Sequence, residues 1–167
     1  MIAVLETKRL RLIPPCIENL KVYELFYTDP EASKTYGGPL EKEQILTRLK
    51  ADLGSWYLLG FGVWVIQQKS DNSFLDTCGF WQGKDWPKEL TWRVLPKARG
   101  KGIATEASKA AIAHAYNKFK WETVDTYMED NNDVARALVE KLGAQKVDRQ
   151  GFSDGLSRDI YTLPKPD

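Results

Sequence analysis

Histidine and cysteine are scarce in this chain: His114 stands alone, and the only thiols are Cys16 and Cys78. Neither thiol has a partner at ligand or redox spacing, so zinc, a disulfide scaffold and a thiol–histidine nucleophile are all unsupported. A reducing, cytoplasmic setting is the expectation. No apolar run approaches the roughly 18 residues of a membrane helix. The apolar start at residues 2–5 stops at Glu6, with Lys8 and Arg9 behind it, unlike a secretory segment. A surplus of charge is missing as well. The 24 Lys and Arg against 23 Asp and Glu leave a net +1, which removes any general argument for nucleic acid or a membrane as partner. The acidic run at residues 129–133 lacks the glycine and terminal glutamate of a calcium loop, and nothing else groups as metal ligands.

What is present suits one domain spanning residues 1–167. Residues 8–13 alternate, with Leu10 and Leu12 on one face and Arg9 and Arg11 on the other, and read as a strand closed by Pro14 and Pro15. Helices are expected at residues 17–27 and 41–53, the latter from Ile45, Leu49 and Leu53 at a spacing of four, with a Tyr36-Gly37-Gly38-Pro39 loop between them. Three β-rich runs follow, at residues 60–68, 74–81 and 89–95, then an alanine-rich helix over 105–119. A strand at 123–128, a helix at 133–142 ended by Gly143, and strands at 144–148 and 156–163 complete the order β-α-α-β-β-β-α-β-α-β-β. The fold class is α/β (α+β), with a mixed, mostly antiparallel central sheet and helices on both faces.

The chain is organised around Arg99-Gly100-Lys101-Gly102-Ile103-Ala104-Thr105. Pro96 ends the preceding strand, and two glycines allow a tight turn into a helix N-terminus, where unpaired N–H groups and the dipole favour an anion. Lys97, Arg99 and Lys101 add positive charge. The segment is not a P-loop, because no Lys-Ser or Lys-Thr follows the second glycine, and Thr105 breaks the dinucleotide pattern G-x-G-x-x-G. A glycine-rich helix entry with no ligand is the plain alternative.

Arg-x-x-Gly-x-Ala, at residues 99–104, closely resembles the pyrophosphate loop of the Gcn5-related N-acetyltransferases (GNAT), which bind acetyl-coenzyme A. The resemblance runs over essentially the whole chain. The opening Thr7-Lys8-Arg9-Leu10-Arg11-Leu12, together with Phe61-Gly62-Val63-Trp64, Cys78-Gly79-Phe80 and Glu140-Lys141-Leu142-Gly143, resembles the ribosomal-protein branch of the RimJ/RimL type. The resemblance implies that Arg99, Gly100, Lys101, Gly102, Ile103, Ala104 and Thr105 hold the pyrophosphate of acetyl-CoA. It implies that Trp92, Val94 and Leu95 offer backbone groups to the pantetheine arm, one N–H polarising the thioester. Asn132, eleven residues before Gly143, stands where the family places a pantetheine contact, and it equally suits a helix cap. Glu89, seven residues before Pro96, stands where this branch often carries a glutamate, and is the candidate general base; a solvated strand-end carboxylate is the competing reading. Ala135 and Val139 stand where relatives often carry a serine or tyrosine that protonates the departing thiolate, so that role has no owner. Tyr127 is a conceivable substitute.

The chemistry needs a deprotonated amine. At pH 7 an α-amine with a pKa near 8 is about 1.4 kcal/mol from its reactive form, and a lysine about 4.6 kcal/mol, so a carboxylate base helps both. The expected activity is direct acetyl transfer from acetyl-CoA to an amine acceptor, a protein N-terminus or a small molecule, with no metal. A homodimer is left open. Two rivals remain: an acetyl-CoA-binding protein without turnover, and a nucleotide-binding module. Cys78 reads as a small buried residue and His114 as structural. Trp56, Trp64, Trp81 and Trp86 suit core or rim as well as a cleft.

Overall fold

The computed structural model describes residues 1–167. Strand β1 (Leu5–Glu6) opens a hairpin with β2 (Leu10–Ile13). Helices α1 (Leu20–Tyr27), α2 (Pro30–Ser33) and α3 (Lys42–Leu59) precede the meander β3 (Val63–Gln68), β4 (Phe74–Trp81) and β5 (Glu89–Val94). Helix α4 (Ile103–Asn117) leads to β6 (Val124–Tyr127), α5 (Asp133–Lys141), β7 (Gln145–Gly151) and β8 (Ser157–Leu163). Strands β1 to β5 form one antiparallel sheet in sequence order, and β6-β8-β7 form a second.

Alternation along the strands sends side chains to two cores. Leu10, Leu12, Trp64, Ile66, Cys78, Phe80 and Leu90 face α4, whose Ala107, Ala111 and Ala115 are fully buried and let the helix lie close. Val65 and Leu95 face the other way, onto Tyr23, Phe26, Tyr27, Ile45 and Leu49 of α1 and α3. The helices therefore cover both faces, as the sequence pattern predicts.

Two departures from the sequence expectation stand out, alongside shifts of up to three residues at the ends of other elements. Helix α3 runs on from residue 53 to Leu59, because the fold anchors its last turn: Trp56 donates from Nε1 to Val63 O at 2.8 Å, and Gly60 ends the helix at φ 80°. The sheet is not continuous. Strands β5 and β6 lie side by side, with Thr126 beside Leu90 and Met128 packed near Trp92, a constant offset that marks them parallel. One hydrogen bond joins them at the lower end, from Thr126 Oγ1 to Leu90 O at 2.8 Å, and above it they belong to separate sheets.

Candidate active site

The opening between β5 and β6 is lined by one unsatisfied strand edge. In the ladder with β4, the Leu95 N–H turns inward and donates to Leu75 O at 3.0 Å. Leu90, Trp92 and Val94 turn outward, since backbone direction alternates in an antiparallel pair. Their carbonyls are met by side chains: Leu90 O by Thr126, Trp92 O by Tyr36 at 2.5 Å, and Val94 O by Arg99 Nε at 3.1 Å. The N–H groups of Trp92 and Val94 face the same opening. Leu95 is different from its two neighbours, because its N–H serves β4 and its carbonyl accepts from Ala98 at 2.8 Å. The fold has already engaged its backbone, and the edge consists of Trp92 and Val94.

Beyond the Val94 end of this edge, opposite its lower end, lies the glycine turn. Gly100 and Gly102 both adopt φ 75°, the left-handed region where a side chain is strained. A Cβ on Gly100 would meet nothing within 4 Å, so the turn presents bare backbone to open space. Gly102 is the N-cap of α4 and carries no side-chain cap, which leaves the first N–H groups of that helix unclaimed from within the chain. Arg99 and Lys101 are exposed beside them, Thr105 and Ala104 are half-buried, and Ile103 is buried as the anchor of the first turn. Arg9, which the sequence does not single out, clamps this turn to the sheet: its Nη1 donates to Lys101 O at 2.8 Å and its Nε to Glu106 at 2.6 Å. Burial works against ionisation of Glu106, but hydrogen bonds from the Thr7 hydroxyl, the Arg9 N–H and the Arg9 guanidinium hold its carboxyl below the usual range. A turn of this shape, with free N–H groups, two exposed cations and a fixed base, fits a pyrophosphate.

Glu89 stands at the start of β5, at the lower end of the opening. Burial pushes its carboxyl well above the usual carboxylate range, and the Arg158 guanidinium opposes this from across the opening. No group of the chain hydrogen-bonds the carboxylate, so its oxygens are available to a substrate proton. Arg158 itself is buried on β8. Asp154 grips it with both oxygens, at 2.7 and 3.1 Å, and its guanidinium lies over the rings of Trp86 and Phe152 at 5.1 and 4.8 Å. Trp86, Phe152 and Tyr127 pack against one another and wall this side of the opening. The Tyr127 hydroxyl is committed, donating to Pro87 O at 2.8 Å.

Asn132 caps α5, accepting from the Ala135 N–H at 3.2 Å, so the cap reading holds. Val139 is fully buried against Met128 and Tyr161, with Trp92 and Ala135 beside it, and α5 presents no hydroxyl to the opening. The four tryptophans divide: Trp56 and Trp64 are core, whereas Trp81 and Trp86 pair at the rim. His114 is packed edge-on to Trp64 and Phe119, and burial lowers its pKa; its role is structural. The Cys78 thiol, buried beside Ser108, is pushed up to about 12 and is inert.

The chain thus brings together a strand edge, a glycine turn with unclaimed N–H groups and a secluded carboxylate. The acetyltransferase (GNAT) domain model matches residues 9–145. The chain belongs to the GNAT acetyltransferase family. Among curated proteins it is similar to protein YkkB of Bacillus subtilis, 25% identical over 147 residues covering 83% of each. Among solved structures, an acetyltransferase from Agrobacterium tumefaciens superposes with a TM-score of 0.88 at 25% identity, covering 99% of this chain and 96% of that one. A RimL ribosomal L7/L12 alpha-N-protein acetyltransferase in complex with coenzyme A shares the fold, with a TM-score of 0.78 over 98% of both chains at 9% identity. No helix of this GNAT chain is long and apolar enough to cross a membrane.

Proposed function

We propose that this protein transfers the acetyl group of acetyl-CoA directly to a primary amine, with Glu89 as general base. The observation that carries the reading is the outward edge of β5, where the Trp92 and Val94 N–H groups face an opening that has an anion-binding turn at one side and the Glu89 carboxyl at its floor. The RimL protein, solved with coenzyme A, supports the choice of donor.

In this mechanism the backbone of residues 99–105 and the side chains of Arg99 and Lys101 hold the pyrophosphate. The pantetheine arm lies along β5 as an added strand, and Asn132 stands at the far side of the opening. The Trp92 N–H polarises the thioester carbonyl; one such donor is worth about 10²–10³ in rate in other acyl transfers. Glu89 removes the proton from the ammonium or from the attacking amine. Its raised pKa suits this work, because a base closer to neutrality holds a proton more firmly. The acceptor is an amine, a protein N-terminus or a small molecule, entering past Trp86 and Phe152.

The test is release of free thiol from acetyl-CoA in the presence of a short unblocked peptide or a linear polyamine. Glu89→Gln is expected to lower kcat about 10²–10⁴-fold and to remove the acidic limb of the pH profile, while acetyl-CoA still raises the melting temperature. An unchanged rate and profile in Glu89→Gln would show that another group takes the proton.

A further inference from the structure

The glycine turn is held from behind by a hairpin at the other end of the chain. Arg9 lies between β1 and β2, 92 residues before its partner Lys101. Its backbone is tied on both sides: the N–H donates to Glu106 Oε1 at 2.9 Å, and the carbonyl accepts from the Lys69 N–H at 2.8 Å. From that fixed base the guanidinium spans two acceptors, Nε meeting Glu106 Oε2 at 2.6 Å and Nη1 meeting Lys101 O at 2.8 Å. A Cβ on Gly102 would stand 3.4 Å from Nη2, so the guanidinium lies directly against the turn. Glu106 is the acidic residue in the first turn of α4, and the Thr7 hydroxyl donates to its Oε1 at 2.6 Å.

We propose that Arg9 is a positioning residue for the pyrophosphate of the acyl donor, acting through the Lys101 carbonyl and the Glu106 carboxylate. The inference rests on the acetyl-CoA reading above. Two features of the geometry carry it. The peptide between Lys101 and Gly102 is trans and planar, so its carbonyl and its N–H point in opposite directions. Drawing the carbonyl back onto Arg9 therefore turns the Gly102 N–H away from the hairpin, and no group of the chain accepts from that N–H. The second feature is charge. A bare carboxylate in the first turn of α4 would repel phosphate from the N–H groups that the turn leaves unclaimed. Bound to Arg9 and Thr7, Glu106 stays turned to the hairpin with its charge matched, and the charges of Arg99 and Lys101 remain for the ligand.

Arg9 thus acts on the turn and not on the reacting atoms. Its effect is confined to donors that carry phosphate.

Arg9→Met keeps the aliphatic stem and removes the guanidinium. The variant and the wild type are compared by calorimetric titration with coenzyme A. Thiol release is then measured from acetyl-CoA and from S-acetylpantetheine, which has the arm but no pyrophosphate. The expected result is a Kd for coenzyme A weakened about 10- to 30-fold and a similar rise in KM for acetyl-CoA, with kcat within about threefold of the wild type. Turnover of S-acetylpantetheine should change by less than about threefold. Arg9→Lys, whose ammonium keeps the charge but not the fork, should fall between the two proteins. Equal losses on the two donors would show that Arg9 serves the fold as a whole, and would overturn the assignment. A wild type that does not bind coenzyme A overturns the acetyl-CoA reading and this inference with it. Coenzyme A binding that Arg9→Met leaves intact overturns this inference alone.

Discussion

Glu89 and Arg158 form a pair that acts through space, outside ion-pairing distance. Arg158 spends its hydrogen bonds on Asp154 and its flat faces on Trp86 and Phe152, so its charge reaches Glu89 without covering the carboxylate oxygens. The sign of the consequence is fixed. Burial raises the Glu89 pKa, Arg158 lowers it, and loss of Arg158 leaves burial unopposed. With Glu89 as the proposed base, active only when ionised, kcat/KM is expected to rise with pH through the Glu89 pKa. Arg158→Met is expected to move that rise to higher pH, with the plateau rate at alkaline pH largely kept. A pH profile of kcat/KM for the two proteins measures it, and a rise at the same pH in both would show that Arg158 serves packing only. Glu89 is a candidate in the sequence only through the family resemblance, which places a glutamate seven residues before the proline of the glycine turn. Arg158 and Tyr36 are not legible there: their partners lie on other elements, and no local spacing announces a contact that only the folded chain creates.

At the scale of elements, β5 is the piece on which the site depends, and Arg93 is its anchor. The side chain lies opposite Trp92 and Val94, on the α1 side, where its Nε and Nη2 meet Asp76 Oδ1 at 2.9 and 2.8 Å. Its Nη1 donates to the Tyr27 hydroxyl, and the rings of Tyr23, Phe26 and Tyr27 surround the guanidinium. Asp76 is fully buried at an irregularity of β4, with φ 113°, and burial pushes its carboxyl up to about 6 despite Arg93. Removing one partner of such a pair strands the other. Arg93→Met is expected to destabilise the protein by about 3–5 kcal/mol, and Asp76→Asn by less, because a neutral amide still meets the guanidinium with an acceptor. Chemical denaturation of both variants checks the order. The strands themselves were largely readable: β4 falls on residues 74–81 as its composition predicts, and β5 and β8 end within a residue of expectation. The two-residue β1 was not, since it is too short to alternate and exists only by pairing with β2. The end of α3 was not readable either. The apolar spacing continues through Trp56, but Gly54 and Ser55 weaken the helical signal after Leu53, and the bond from Trp56 to the next strand secures the extension.

The whole molecule is two sheets that share a boundary. On one side, four helices and five strands enclose the larger cores; on the other, β7 is exposed along its entire length and leans on β8 through ion pairs of Lys146 and Arg149 with Asp159. The division was invisible in the sequence, where residues 123–128 read as one more strand of a single sheet; pairing is a tertiary choice, and β6 finds β8 instead of completing its bond with β5. The single rung from Thr126 to Leu90 makes that boundary a seam, and a seam can be sutured. An extended pantetheine arm bonded to Trp92 and Val94 would act as a removable strand between the sheets, so that substrate and protein together form the continuous sheet that the protein alone does not. Amide hydrogen exchange reads this directly. Without ligand, β6 to β8 should open as a unit of their own and exchange faster than β3 and β4; saturating coenzyme A should slow Trp92, Val94 and β6 together. Slowing confined to the glycine turn would mean that the phosphates bind while the two halves go on breathing apart. On the proposed reading, the acyl donor in that sutured state would for a moment be part of the fold, and its departure as free thiol would unfasten the molecule for the next turnover.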